Sequence, residues 1–162
     1  MNIVKDEDFD RAVNAVVENL VCVDGLYPSQ LEVLRALVVG EDNVFLTAPT
    51  NSGKTLAPVI VPGVLKELNK MNYNYPPVPR VLFITALNSL QLSLQSSMES
   101  LGLQCAAVTK ENVDQILRSE VSILFIGPEI LKIPFVTKSL LKLSSSFVLK
   151  VVDEVHLGGF LF

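Results

Sequence analysis

Eight consecutive residues, Ala48-Pro49-Thr50-Asn51-Ser52-Gly53-Lys54-Thr55, fit the phosphate-loop pattern GxxxxGK(S/T), with alanine in place of the first glycine. An apolar run at 43–47 precedes them and a helix-forming run follows, which is the strand, loop and helix order of a phosphate cradle. Loop amides from Thr50, Asn51 and Ser52 would converge on the anion, and the helix N-terminus would add partial positive charge. Gly53 lets the backbone come close. Lys54 is the point charge between β- and γ-phosphates, and the Thr55 hydroxyl is placed to bind Mg²⁺. The pattern implies a bound nucleotide, without separating a kinase, a GTPase and a motor.

A second candidate lies 99 residues beyond Lys54, where Val148-Leu149-Lys150-Val151-Val152 runs into Asp153-Glu154-Val155-His156. Carboxylates at the end of an apolar strand are costly unless something binds them, and in a parallel sheet the carboxyl ends of the strands are where ligands sit. Asp153 would hold the Mg²⁺, directly or through water. Glu154 would orient and polarise the water that attacks the γ-phosphate. His156 is the only histidine. Taken alone it reads as a surface or core residue; two positions past such a glutamate, it reads as coupling the nucleotide site to a facing domain.

These residues need a scaffold, and the chain has the size and apolar content to build one. Its 162 residues are 49% apolar and 19% charged, with a mean hydropathy of +0.44. That excludes a disordered tail or a collagenous chain. The net charge of −4 excludes a general basic coat for duplex DNA, so nucleic-acid contact would be local. Cys22 and Cys105 form no CxxC pair and read as two buried thiols in a reducing compartment. The acidic start, Met1 to Asp8, lacks the order of a signal peptide, and no apolar run reaches the roughly 18 residues of a membrane span. The chain reads as soluble and intracellular.

Apolar spacing predicts a helix over 8–20 and a connector over 21–27 with its turn at Asp24-Gly25. A second helix begins at Pro28 and is stopped by Gly40. A strand over 43–47 follows, then a helix over 56–69 whose first turns Pro58 and Pro62 should distort. Residues 69–79 read as an exposed loop. Strands are predicted at 80–85, 104–108, 121–126 and 147–152. Between them lie a helix over 87–101 stopped by Gly102, a short helix over 112–118 and a mixed helical stretch over 129–143. Serines 89, 93, 96, 97 and 100 read as solvated surface, and serines 144–146 as a solvated loop. Apolar strands alternating with helices belong to a mostly parallel sheet covered on both faces, an α/β domain.

In this order the motifs resemble the first RecA-like domain of a superfamily 2 helicase of the DExH type, across roughly residues 26–160. Residues 48–55 resemble helicase motif I and Asp153-Glu154-Val155-His156 resembles motif II. Leu26-Tyr27-Pro28-Ser29-Gln30 is similar to the element preceding motif I in RecQ helicases, although Tyr27 stands where that family has arginine. Val155-His156-Leu157-Gly158-Gly159 is also similar to Ski2-type helicases. The resemblance implies that Gln30 reads the adenine edge. Ile84-Thr85-Ala86-Leu87-Asn88-Ser89-Leu90 resembles motif Ia, and Leu124-Phe125-Ile126-Gly127-Pro128-Glu129 the motif Ib region, with Gly127 where threonine or alanine is common. The resemblance thereby implies single-strand contacts at Leu87, Asn88, Ser89, Gly127, Pro128 and Glu129, through loop amides and polar side chains.

The implied fold is a three-layer, RecA-like phosphate-loop NTPase domain. Residues 1–25 form an N-terminal helix and connector, and 26–162 an ATP-binding domain incomplete at its C-terminus. The implied activity is ATP-dependent DNA unwinding or translocation with ATP and Mg²⁺, on single-stranded or forked DNA rather than RNA. A second RecA-like domain carrying an arginine finger would be the partner. In a eukaryote a RecQ-like helicase would be nuclear. Because that finger is worth on the order of 10³ to 10⁵ in rate, these 162 residues alone should bind Mg·ATP weakly and turn it over little. The surface meant for the second domain should be unusually apolar. A non-catalytic nucleotide- and protein-binding module derived from a helicase is the competing reading. A kinase-like enzyme is disfavoured, since no acceptor-site or lid segment is recognisable.

Overall fold

The structure, a computed structural model, describes residues 3–40, 44, 53–85 and 88–152, and at 88–90 the backbone alone. They gather into two compact units, Met1–Pro79 and Arg80–Phe162.

In the first unit, helices α1 (Asp6–Val17) and α2 (Pro28–Val39) both pack on α3 (Leu56–Lys70). α1 opens on Asp6, Glu7 and Asp8, which suit the positive end of the helix dipole, and buries Phe9, Ala12, Val13 and Val17. It ends three residues short of the predicted 20. The amides of Asn19 and Leu20 reach back only to Val16 and Val17, closing a tighter turn that keeps Leu20 buried. The turn of the connector falls at Val21-Cys22, with Cys22 left-handed at φ 58°, and not at the predicted Asp24-Gly25. Cys22 is also exposed, which corrects the expectation of two buried thiols.

Gly40 ends α2 as predicted, but in an extended conformation (φ −75°, ψ 153°). Glycine is needed there for room, because a Cβ would stand 2.4 Å from the Ala36 carbonyl oxygen. α3 runs unbroken through both of its prolines. Pro58 is its third residue, where no amide has an intrahelical partner to lose; only Pro62 removes a bond. Gly63 lets α1 approach closely, since a Cβ would lie 3.2 Å from Val16.

Polar ties bind these helices together. Arg35 pairs with Asp6 and Asp10 and stands 4.5 Å over the Phe9 ring. The Tyr73 hydroxyl donates to Asp8 at 2.9 Å and accepts from the Lys5 amide. Asn69 takes the Tyr75 amide at 2.8 Å and donates to its carbonyl. The segment predicted as an exposed loop is therefore fastened at both tyrosines, which are half-buried.

The second unit runs β1 (Arg80–Ile84), α4 (Asn88–Ser100), β2 (Cys105–Ala107), α5 (Val113–Leu117), β3 (Ile123–Ile126), α6 (Pro128–Leu131), α7 (Pro134–Leu141) and β4 (Phe147–Val152). The strands pair in the order β2-β3-β1-β4, all parallel. The predicted α/β fold with a mostly parallel sheet flanked by helices is what is found, while of the strand predicted at 43–47 only Val44 is described, exposed and in no strand, and the rest lies outside the described residues. β1 and β3 are buried along their whole lengths. On one face Leu82, Ile84, Leu124 and Ile126 pack with Val113 and Ile116 of α5 and Val136 and Leu140 of α7. On the other, the Phe83 and Phe125 rings lie 5.3 Å apart.

Gly102 stops α4 as predicted, at φ 81°. The Leu103 amide bonds the Met98 carbonyl and the Gly102 amide that of Glu99, the paired bonds of a Schellman cap. The stretch predicted as one helical segment over 129–143 divides at Ile133 (ψ 117°), because a residue before proline is driven out of the helical region. Thr137 Oγ1 sits against the carbonyls of Leu131 and Ile133 at that break.

Arg80 is buried at the start of β1, beside a register shift against β4. Its guanidinium donates to the carbonyls of Ser119 (2.6 Å) and Val121 (3.2 Å) and to Ser146 Oγ (3.0 Å). Burial pulls its pKa below the usual arginine value. Ser146, predicted as part of a solvated loop, is thus a partner of a buried cation.

Candidate functional site

The end of the phosphate loop is built by α2 and α3. Gly53 adopts φ 71°, a conformation only glycine takes without strain. Its carbonyl accepts the Leu56 amide at 3.1 Å, fastening the loop to the first turn of α3. The same carbonyl accepts Gln30 Nε2 at 3.0 Å. Gln30 is the third residue of α2, and its Oε1 takes the Tyr27 amide at 2.9 Å, satisfying a helix N-terminus that would otherwise want a partner.

Gln30 is 6% exposed, and each end of its amide is engaged by its own chain. Among the described residues one N–H and one lone pair are left over, the pair of functions that meets adenine N7 and N6. Thr55 is the N-cap residue of α3, and its hydroxyl makes no capping bond. Lys54 is half-exposed and takes part in none of the ion pairs among the described residues. A left-handed glycine at the tip, a lysine outside every ion pair among the described residues and a hydroxyl that makes no capping bond fit a magnesium nucleotide. Thr50, Asn51 and Ser52 lie outside the described residues.

The second set of candidates issues from the carboxyl ends of the sheet strands. β1 and β4 end side by side, Ile84 paired with Val152. Asp153, Glu154 and His156 follow Val152 in sequence and lie outside the described residues, so the predicted meeting of Asp153 with the Gly53-Lys54 tip does too. Among the described residues no group of three His, Cys, Asp or Glu side chains could hold a metal ion.

Past β1, the Thr85 amide donates to the Ile126 carbonyl at 3.1 Å. Thr85 is 1% exposed and its hydroxyl finds no partner among the described residues. Leu87 lies outside the described residues, while Asn88 and Ser89 begin α4. Gly127 is buried at the end of β3, Pro128 opens α6 and Glu129 is exposed.

The sequence reading passed over Gln91. It is 8% exposed, and its Nε2 donates to the Thr85 carbonyl at 3.1 Å. The signal was present in the helical spacing, since Gln91, Leu94 and Met98 fall on one side of α4.

The family model described as DEAD/DEAH box helicase matches residues 27–159. The chain belongs to the DEAD/DEAH box helicase family. Its matched stretch contains the phosphate loop, the Thr85 and Gly127 strand ends and the Asp153-Glu154-Val155-His156 run. DEAD/DEAH box helicase domains use ATP, typically with Mg²⁺. Two curated relatives are each named ATP-dependent DNA helicase Hel308. That of Pyrococcus horikoshii is 31% identical over 145 residues, covering 85% of this chain and 18% of the relative. That of Thermococcus kodakarensis is 32% identical over 145 residues, covering 85% of this chain and 12% of the relative. The chain thus spans less than a fifth of the length of either. Among the described residues no helix is long and apolar enough to cross a membrane.

Proposed function

We propose that this chain is the ATP-binding part of an ATP-dependent DNA helicase, in which Mg·ATP hydrolysis drives translocation or unwinding. The observation that carries the reading is the tip of the phosphate loop. A left-handed Gly53 is braced by Gln30 and followed directly by Lys54 and Thr55 at the start of α3, in a chain of the DEAD/DEAH box helicase family. Gln30 meets the adenine. The loop amides of Thr50, Asn51, Ser52 and Gly53 hold the phosphates, Lys54 neutralises the β- and γ-oxygens, and Thr55 and Asp153 ligate the Mg²⁺. Glu154 polarises the attacking water and His156 links the site to the facing domain.

The nucleic-acid strand runs over the carboxyl ends of β1 and β3, against Leu87, Asn88, Ser89, Gly127, Pro128 and Glu129. A carboxylate only accepts hydrogen bonds, so Glu129 suits base N–H groups and not phosphates. The substrate is single-stranded or forked DNA, and the setting is intracellular, nuclear in a eukaryote. Support for DNA comes from the two relatives' names. A RecQ-type affinity rests on Leu26-Tyr27-Pro28-Ser29-Gln30 alone. Turnover requires a second RecA-like domain, whose arginine would contribute on the order of 10³ to 10⁵ in rate; these 162 residues alone therefore bind nucleotide with little hydrolysis.

Thermal unfolding with and without Mg·ATP tests the reading. The wild-type chain should gain stability by mass action, and Lys54→Ala should gain none. An equal gain in both, or none in the wild type, overturns the assignment. Steady-state ATPase measurement with single-stranded DNA tests the turnover claim, and family-typical rates from this chain alone would refute it.

A further inference from the structure

Gly127 has φ −79°, which any residue adopts, so its backbone does not call for glycine. Space does. A Cβ there would lie 3.3 Å from Gln91 Nε2 and 2.6 Å from Glu129 Oε2. Two polar side chains thus converge on the one position at the end of β3 that carries no side chain. One of them, the buried Gln91 amide, is bonded to the Thr85 carbonyl at the end of β1. The strand ends are already joined by the Thr85 amide to the Ile126 carbonyl. Gln91 reaches from the first turn of α4 to the Thr85 carbonyl and lies beside Gly127, so that the start of α4 and the start of the 127–129 segment meet at one buried amide.

We propose that Gln91 is a positioning residue for nucleic-acid binding: bonded to Thr85 and set against Gly127, it fixes the distance between the start of α4 (residues 88–90) and the 127–129 segment. The proposal rests on the reading that these two segments line the DNA strand. A strand grips both at once only where their spacing matches the repeat of its backbone, and a loose spacing costs affinity even when every contacting group is intact. Gly127 is part of the same device. Alanine at that position would press its methyl group on the Gln91 amide and push Glu129 outward.

The test uses the 162-residue chain with a labelled oligo-dT of about 12 nucleotides, followed by fluorescence anisotropy well below the melting temperature of each variant. Gln91→Met keeps length and bulk and loses the donor. It should weaken oligo-dT binding about tenfold while leaving the thermal shift with Mg·ATP unchanged. Gly127→Ala retains the donor and crowds it, and should weaken binding severalfold; it carries the test where Gln91→Met does not fold. Gln91→Met and Gly127→Ala together should weaken binding by less than the product of the two, because both act on one spacing. Binding within twofold of wild type in folded Gln91→Met, with only the melting temperature lowered, overturns the proposal and leaves the helicase reading standing. A wild-type chain that binds Mg·ATP but no oligo-dT overturns the reading of the two segments, and the proposal falls with it.

Discussion

Gln30 Nε2 donates to the Gly53 carbonyl at 3.0 Å, across 23 residues of sequence. One buried amide thereby closes the N-terminus of α2 and fixes the last turn of the phosphate loop. Gln30→Glu should separate these duties, since a carboxylate still accepts the Tyr27 amide but offers Gly53 no proton. Two acceptors would then face each other in a buried place, at a cost of about 2 kcal/mol. The introduced negative charge would also oppose phosphate. Urea unfolding should show the first loss, and a smaller Mg·ATP thermal shift the second. A variant as stable as wild type would mean that the brace contributes nothing.

Gly53 and Gln30 should also be coupled energetically. A Cβ on Gly53 would lie 2.5 Å from Gln30 Nε2, so alanine there displaces the brace besides straining a left-handed backbone. The strain alone is about 1–2 kcal/mol. In a Gln30→Ala background the collision is gone and only strain is left. The double variant should therefore be more stable than the summed single losses imply, by about 1 kcal/mol. Strict additivity in urea unfolding would place the two groups out of contact.

Arg80 poses a different problem, a buried cation satisfied by two carbonyls and a hydroxyl with no carboxylate in the ion pairs among the described residues. Its planar fork reaches Ser119, Val121 and Ser146 together, which a single ammonium cannot do. Arg80→Lys should cost about 2–4 kcal/mol, because buried acceptors at the starts of β3 and β4 lose their donors. Chemical unfolding reads this directly, and a loss under 1 kcal/mol would contradict it.

How much of this was legible beforehand follows from the range of each interaction. Continuous apolar runs and period-3.6 apolar patterns act locally, and they placed the four described strands and α1, α2 and α4 to within a few residues. Gly102 was legible as a stop because a left-handed cap is a property of one residue and its own helix. Pro58 was misjudged as a distortion because, as the third residue of α3, it sits where no amide has an intrahelical partner to lose. The turn expected at Asp24-Gly25 fell on Val21-Cys22, where the chain continues directly from the tight turn that closes α1. The Lys54-Thr55 end of the loop was readable as chemistry from spacing alone. Gln30 on Gly53 and Gln91 on Thr85 were not, because a buried amide finds its partner in three dimensions and leaves no periodic trace of which carbonyl it takes.

The two thiols should behave in opposite ways. Burial, with the Glu99 carboxylate as a lesser cause, pushes the Cys105 thiol up from 9.0 to about 11; Cys22 is exposed. Iodoacetamide at pH 8 should therefore modify Cys22 first, since the thiolate is the nucleophile. The same shift makes stability depend on pH. Between about 9 and about 11 the unfolded chain sheds this proton while the folded chain retains it, so the folded state binds more protons and stability falls as pH rises. Below pH 9 the contribution is fully present. Cys105→Ala retains every other titratable group, so the comparison isolates this thiol. The urea midpoint of wild type minus that of Cys105→Ala should accordingly be constant up to about pH 9 and decline toward pH 11. A difference that stays flat across that window would show that the thiol is not desolvated in the folded chain.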